Sequence, residues 1–239
     1  MVRLLILVAS LVLHELAHMV VAWGFGGKVD GVRLRTVGLT AWVRGLEKLA
    51  AWKRYAVYLA GPCANALLAL VAWLLHNQDA FIINMVLCVF NLLPVLPLDG
   101  GRLAQIFLGN RIGAMRANQV LLKIGPLAGL ALMCLGLVQV ILFPWNISLV
   151  CAGHYIRRKY KDMPVLLNWE CLRAFEAKKA RALPTKKIIL PEGTTARQAV
   201  GYLGWDYFGE VWVGGEVVQE WELVEIVLRP TAINQDLTR

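Results

Sequence analysis

The chain has 239 residues, of which 58% are hydrophobic; its mean hydropathy is +0.57 and its formal net charge is +9. Soluble globular proteins are about 45–50% apolar, so this composition excludes an ordinary soluble domain and predicts a membrane protein with a soluble appendage. The basic residues flank apolar runs and form no cluster on a soluble face, which argues against a nucleic-acid partner.

The first apolar segment, residues 4–23, contains the pentad His-Glu-Leu-Ala-His at residues 14–18 and no other charged residue. On a helix, positions i and i+4 share a face, so the imidazoles of His14 and His18 can reach one metal ion. Glu15 then projects beside the metal, where a general base for a bound water belongs. Ionisable groups at membrane depth are costly and usually functional. The alternative interpretation is a pair of core histidines that bond to the backbone or to Glu15.

Four further apolar segments follow, at about residues 55–75, 80–98, 124–143 and 144–156. The loops after the first and third segments and the tail after the fifth are basic, whereas the other turns carry no Lys or Arg. By the positive-inside rule the basic side is cytoplasmic, which predicts five spans, an outside N-terminus and a cytoplasmic tail. The fifth segment is shorter than the ~20 residues that cross a bilayer, so it is expected to be tilted, re-entrant or extended by the amphipathic stretch at residues 155–161.

The fold class predicted is therefore an α-helical polytopic membrane protein with about five transmembrane segments and a small C-terminal α+β domain. The domains are expected at residues 1–160 and 161–239. In the tail, periodicity and turn residues predict a helix at 166–183, a strand at 186–190, a helix at 195–203, strands at 208–213 and 216–219, and a helix at 221–228. Residues 29–43, in the first basic loop, alternate weakly and predict a short hairpin.

A catalytic zinc ion takes three protein ligands and leaves one position for water, so the pentad needs a third ligand from elsewhere. Asp99 is the candidate, because the other carboxylate near the second to fourth segments, Asp79, lies at the opposite membrane face. Pro94 and Pro97 stop the third segment from continuing as a regular helix, and a broken helix at membrane depth is tolerated where it lines a cavity. The alternative is that Asp99 caps the next helix, and one carboxylate would not easily serve both roles.

These residues resemble a known family. The pentad, followed by Asn-Leu-Leu-Pro-Val-Leu-Pro-Leu-Asp-Gly at residues 91–100, is similar to the two motifs of the site-2 protease family of intramembrane metalloproteases. Ala-Gly-Pro at residues 60–62 with Asn65 resembles a third family element between them. The resemblance implies that Asn65 lies near the site, where it either polarises the scissile carbonyl or makes an interhelical hydrogen bond. It also implies that Asn91 helps to hold an extended substrate segment.

The resemblance further implies that His14, His18 and Asp99 bind one Zn²⁺ per chain and that Glu15 activates water, which makes the chain a metalloendopeptidase. Members of this group usually carry about one more membrane hairpin before the pentad, a difference that bears on substrate entry and gating. The other classes considered are an inactive membrane scaffold and a transporter. A missing motif residue would favour the scaffold, and all motif residues are present. Inverted repeats would favour the transporter, and the sequence shows none.

The tail resembles one half of a cystathionine-β-synthase (CBS) domain. Within the family, this resemblance points to the short site-2 proteases that carry a C-terminal module of this kind. Short site-2 proteases with such a module cut the pro-sequence from a sporulation sigma factor, so this substrate and membrane inhibitor proteins are the partners that the resemblance implies. The usual nucleotide-site residues are replaced by Gln219 and Glu222, which puts nucleotide binding in doubt. A half-module also leaves an apolar face, which suggests a homo-oligomer; the alternative is a plain docking domain.

Overall fold

The computed structural model describes residues 1–34, 39–44, 46–143, 146–179 and 181–228. Contacts divide the chain into two compact units. The first unit comprises residues 1–94 and 98–103, and the second comprises residues 95–97 and everything from residue 104 onward.

The first unit is built around three packed helices. Its elements are α1 (Val2–Gly24), β1 (Lys28–Leu34), β2 (Leu39–Arg44), a short 3-10 helix (Leu46–Lys48), α2 (Ala51–Leu74), α3 (Gln78–Asn91) and the start of α4 (Asp99–Ile112). α2 packs against both α1 and α3, and α1 also contacts α3. β1 and β2 pair antiparallel, which is the hairpin that the alternation predicted. This helix packing positions the side chains of the candidate site.

Within the described residues, three helices are long and apolar enough to cross a membrane, and these are α1, α2 and α5 (Ala114–Leu142). The predicted third segment at residues 80–98 forms only the 14-residue α3, which ends three residues before Pro94 because proline cannot continue a helix. The predicted fifth segment corresponds to α6 (Ser148–Lys159), which has 12 residues. A mostly helical membrane protein is therefore present, and the number of five spans stays a prediction.

In the second unit, α5 packs closely on α6, and α7 (Met163–Lys178) follows after a short turn. The contact depends on small residues of α5. A Cβ on Gly125 would overlap the ring of Tyr160, and a Cβ on Gly136 would overlap Val150. Glycine at these positions lets the two backbones approach, as is typical of helix pairs in lipid.

The tail continues with β3 (Thr185–Leu190), α8 (Ala196–Val200), β4 (Phe208–Val213), β5 (Glu216–Gln219) and α9 (Glu220–Leu228). The sheet order is β3-β4-β5, with β3 parallel to β4 and β4 antiparallel to β5. Thr195 caps α8 in a capping box with Gln198, as the predicted helix start required. α8 ends at Val200, earlier than predicted, and the resemblance to a CBS half-module stays a prediction.

A buried ion pair joins the outer helices of the tail. Lys178 Nζ lies 2.5 Å from Glu220 Oε1 and donates to the Tyr207 carbonyl at 2.9 Å, while Glu220 Oε2 accepts from Gly209 N at 2.6 Å. Desolvation lowers the pKa of Lys178 despite the neighbouring carboxylate. Because both charges are paired and hydrogen-bonded, α7, β4 and α9 are held in one arrangement.

The tail also packs on the corner between α4 and α5. Ala114 N donates to the Leu203 carbonyl at 2.7 Å, and Asn110 Oδ1 accepts from Trp205 N at 3.1 Å. A Cβ on Gly109 would overlap the Trp205 indole, and Ala114 belongs to the same buried core as the tail strands. The domain boundary predicted at residue 160 stays a prediction.

Candidate metal centre

Two histidines of α1 and one aspartate of α4 converge within the first unit. The Nε2 atoms of His14 and His18 are 3.2 Å apart, and Asp99 Oδ2 lies 3.1 Å from the first and 3.2 Å from the second. His14 is 3% exposed, while His18 and Asp99 are partly buried. The i, i+4 spacing on α1 thus places both imidazoles on one face, and the turn after α3 brings the carboxylate to them.

This cluster fits a tetrahedral zinc ion. Bonds of about 2.0–2.2 Å to nitrogen and oxygen place the ligand atoms of such an ion roughly 3.3–3.6 Å apart, and the three separations here, 3.1–3.2 Å, are only slightly shorter. Two imidazoles and one carboxylate also form a ligand set that is typical of catalytic zinc. Among the described residues, His14, His18 and Asp99 are the side chains whose ligand atoms lie close enough together to bind one metal ion.

Asp99 is the first residue of α4, and its side chain faces the imidazoles. The sequence left open whether this carboxylate is a ligand or a helix cap, and the structure places it both in the first helical turn and in the cluster. The preceding turn is tight, because a Cβ on Gly100 would lie 2.2 Å from the Leu92 carbonyl oxygen. Glycine at this position therefore lets α4 begin where Asp99 reaches α1.

The second nitrogen of each imidazole is held by an acceptor. His18 Nδ1 lies 2.6 Å from the Val57 carbonyl oxygen of α2, and His14 Nδ1 lies 2.5 Å from Asn65 Oδ1. Since a backbone carbonyl only accepts, His18 carries its proton on Nδ1 and presents the lone pair of Nε2 to the cluster. Such partners orient metal-binding histidines and raise their basicity.

A relay of two buried amides fixes the same tautomer in His14. Asn84 Nδ2 donates to the Ala80 carbonyl at 2.9 Å, so Asn84 Oδ1 must face the other way, where it accepts from Asn65 Nδ2 at 2.9 Å. Asn65 Oδ1 is then left for His14, whose Nδ1 must donate to it. The polarity of the whole relay is set by one backbone carbonyl of α3.

Asn65 makes the interhelical hydrogen bonds of this relay, and a role at the scissile carbonyl stays a prediction. Asn65 is fully buried and its amide binds His14 on α1 and Asn84 on α3. Asn91, the last residue of α3, donates to the Leu87 carbonyl at 3.0 Å and does not belong to the histidine–aspartate cluster. A substrate-holding role for Asn91 stays a prediction.

Glu15 is half-buried and interacts electrostatically with both histidines and with Asp99. It follows His14 on α1, so it lies beside the face that carries the ligands and not on it. A carboxylate in that position can exchange a proton with a water held at the cluster. The chemistry this arrangement supports is hydrolysis assisted by a metal ion.

Gly61 of α2 forms one wall of the cluster. A Cβ at this position would lie 2.3 Å from His18 Nε2 and 2.6 Å from His14 Nε2. The sequence singled out Ala-Gly-Pro at residues 60–62 but assigned no role to the glycine, and it gave no sign of Asn84 or of the Val57 carbonyl. Each of these depends on how α2 and α3 pack against α1, which periodicity within one helix does not encode.

Comparisons with known proteins agree with this chemistry. The model of the family described as Peptidase family M50 matches residues 2–78 and 77–135. A putative zinc metalloprotease of Synechocystis is 31% identical over 225 residues, which cover 83% of this chain and 56% of that protein. Stage IV sporulation protein FB of Bacillus subtilis is 30% identical over 132 residues, which cover 52% of this chain and 46% of that protein.

The solved structure of the site-2 protease from Methanocaldococcus jannaschii matches with a TM-score of 0.54 and 24% sequence identity. The match covers 66% of this chain and 76% of that chain, and it shows a shared fold. The chain spans about half the length of the curated relatives it matches.

Proposed function

Because this chain belongs to peptidase family M50, the site-2 protease family, we propose that it is an intramembrane zinc metalloprotease that hydrolyses a peptide bond of a membrane-associated protein. The observation that carries the proposal is the convergence of Asp99 with His14 and His18 beside Glu15, the last three lying on α1, a helix long and apolar enough to span a bilayer.

In the proposed mechanism, the two histidines and the aspartate would hold a zinc ion, which would supply a Lewis acid for the scissile carbonyl and for water, whose pKa it can lower toward ~7. The Glu15 carboxylate takes a proton from the attacking water and returns it to the leaving amide nitrogen. Val57 and Asn65 keep the Nδ1–H of each imidazole engaged, so that Nε2 faces the metal.

A substrate segment must be extended before it is cut, because a helix hides its carbonyls in backbone hydrogen bonds. The hairpin β1–β2 supports a route for this step. Each strand of a two-stranded sheet has one edge that is not paired within the sheet, and an extended peptide can add to such an edge.

For the substrate we propose the pro-sequence of a sporulation sigma factor, which is supported by the similarity to stage IV sporulation protein FB. The alternatives are an anti-sigma factor or a remnant signal peptide. The tail is proposed to be cytoplasmic, to regulate or dock substrates, and to form a homo-oligomer, with membrane inhibitor proteins as further partners. Asn91 is proposed to help hold the substrate.

The experiment that tests the proposal is co-expression of the chain with each of these three substrate classes, comparing the unaltered protein with Glu15→Gln. The substitution removes the base and no metal ligand, so cleavage should fall by ~10²–10⁴-fold while purified protein keeps one zinc per chain. Glu216→Gln, which changes an exposed carboxylate of β5 in the same way, is the control and should cleave normally.

Glu15→Gln that retains more than a hundredth of the cleavage would refute the role of Glu15. Absence of zinc from the unaltered protein would instead refute the metalloprotease assignment and leave a scaffold or transporter.

A further inference from the structure

Helix α7 presents a small apolar face to its surroundings. Val165, Leu166 and Trp169 are 61%, 53% and 60% exposed, respectively. Successive helical residues are rotated by ~100°, so these three side chains share one side of α7. The opposite side is buried and comprises Met163, Leu167, Cys171 and Phe175. Val165, Leu166 and Trp169 form the α7 apolar face.

Contacts within the second unit place this face near the end of an apolar span. The span of α5 from Ile124 to Leu142 is about 28 Å long at 1.5 Å per residue, close to the thickness of a bilayer core. Lys123, just before it, is exposed. The ring of Tyr160 lies against Gly125, one residue inside this boundary. The turn between α6 and α7 is therefore at the level where the apolar span begins.

From that level, α7 continues along the polar first turns of α5. Asn118 Nδ2 of α5 donates to Cys171 Sγ of α7 at 3.2 Å. The contacts of Tyr160 with Gly125 and of Cys171 with Asn118 fix the position of α7 along α5. At 1.5 Å per residue of α5, they place Val165 about 3 Å and Trp169 about 6 Å outside the start of the apolar span. This depth is that of lipid headgroups, where tryptophan is enriched in membrane proteins.

Basic residues precede this face. The last turn of α6 contains Arg157, Arg158 and Lys159, and Lys161 follows in the turn. Arg157, Arg158 and Lys161 are exposed. Cations next to exposed apolar side chains are the pattern of segments that lie on anionic bilayers.

We propose that the α7 apolar face lies in the headgroup layer of the bilayer that the chain spans, with Arg158 at the end of α6 and Lys161 in the turn to α7 binding anionic lipid headgroups. A second protein is a poorer occupant. The three side chains expose roughly 300–400 Å² together, whereas a stable protein interface buries ~800 Å² on each partner. A lipid surface needs no such area, because it continues around the spans. The proposal does not depend on proteolytic activity.

The test is spin-label accessibility in the full chain, reconstituted in nanodiscs of phosphatidylcholine with phosphatidylglycerol or of phosphatidylcholine alone. Trp169→Cys carries the label, and Leu166→Cys is a second position in case one variant misfolds. Leu127→Cys on the span and Glu192→Cys in an exposed turn of the tail serve as lipid and water references, since both side chains are exposed.

The labelled variants are made in a background in which the exposed Cys63, Cys134 and Cys151 are replaced by alanine. Cys88 and Cys171 are buried and stay in place. Burial raises the pKa of the Cys171 thiol to about 12, so it provides little reactive thiolate for the label.

In discs with phosphatidylglycerol, the ratio of oxygen to nickel-complex accessibility at residue 169 should fall between the two references, and it should shift toward the water reference in phosphatidylcholine alone. A ratio equal to that of residue 192 in both discs would overturn the proposal. Protection from both reagents would also overturn it, because the face would then be covered by protein. An intermediate ratio that is equal in both discs would overturn the role of the basic residues.

Discussion

Gly61→Ala tests the metal centre from a residue that has no side chain with which to bind the metal. The added methyl group would lie 2.3 Å from His18 Nε2 and 2.6 Å from His14 Nε2. Because non-bonded carbon and nitrogen atoms need about 3.4 Å or more, the His18 ring would have to retreat by about 1 Å. Metal–ligand distances in proteins vary by only ~0.2 Å, so His18 could not retreat that far and stay a ligand.

The expected result is loss of zinc with little loss of fold. Removal of a residue that merely orients a ligand costs ~10–100-fold in metal affinity, and displacement of the ligand itself should cost at least as much. Alanine favours the helix over glycine by ~1 kcal/mol, which partly offsets overpacking of ~1–3 kcal/mol. Zinc affinity is measured by competition with a chelator, and helix content by circular dichroism.

Gly24→Ala is the matched control, because Gly24 is also a helical glycine but a Cβ there would meet nothing within 4 Å. It should bind zinc as the unaltered chain does. If Gly61→Ala keeps its zinc with unaltered affinity, α2 does not approach the histidines closely enough for Gly61 to be required there.

Two further substitutions probe the other sides of the centre. Asp99→Asn should lose most of its zinc, because a neutral amide is a weaker ligand than a carboxylate and no longer balances the metal charge; unaltered zinc affinity, measured by chelator competition, would show that Asp99 only begins α4. Asn84→Leu should weaken zinc binding by ~10–100-fold, because the Asn65 amide can then turn and His14 loses its fixed tautomer. A changed d–d absorption spectrum of the cobalt-substituted variant would report the altered ligand geometry. If both the spectrum and the zinc affinity are unchanged, the relay is excluded.

The parts of the centre that the sequence predicted are those encoded in short stretches of chain. The i, i+4 spacing of His14 and His18 fixes their common face in any helix. Pro94 and Pro97 mark where a helix must stop, and the carboxylate after them was a candidate because the apolar segments contain few others. In the tail, alternation and the Gly214–Gly215 pair, with φ of +59° and +90°, predicted β4 and β5 correctly.

The parts that could not be predicted depend on contacts between distant segments. Asn84 precedes an ordinary apolar stretch, and only the packing of α3 on α2 brings its amide to Asn65. Gly61 has a role only because the histidines of another helix come within 3 Å of where its Cβ would be. The packing of Trp205 on Gly109 links residues almost one hundred positions apart, which no local pattern indicates.

The corner between α4 and α5 has a consequence for experiments that exchange tails between members of family M50. The indole of Trp205 occupies the space next to Gly109, and the Gly201 carbonyl lies where a Cβ on Gly113 would be. A chimera joined after residue 160 would thus seat a foreign tail on a corner shaped for another surface. A graft should carry residues 104–118 together with the tail, so that Gly109 and Gly113 are transferred with the tail residues that pack on them.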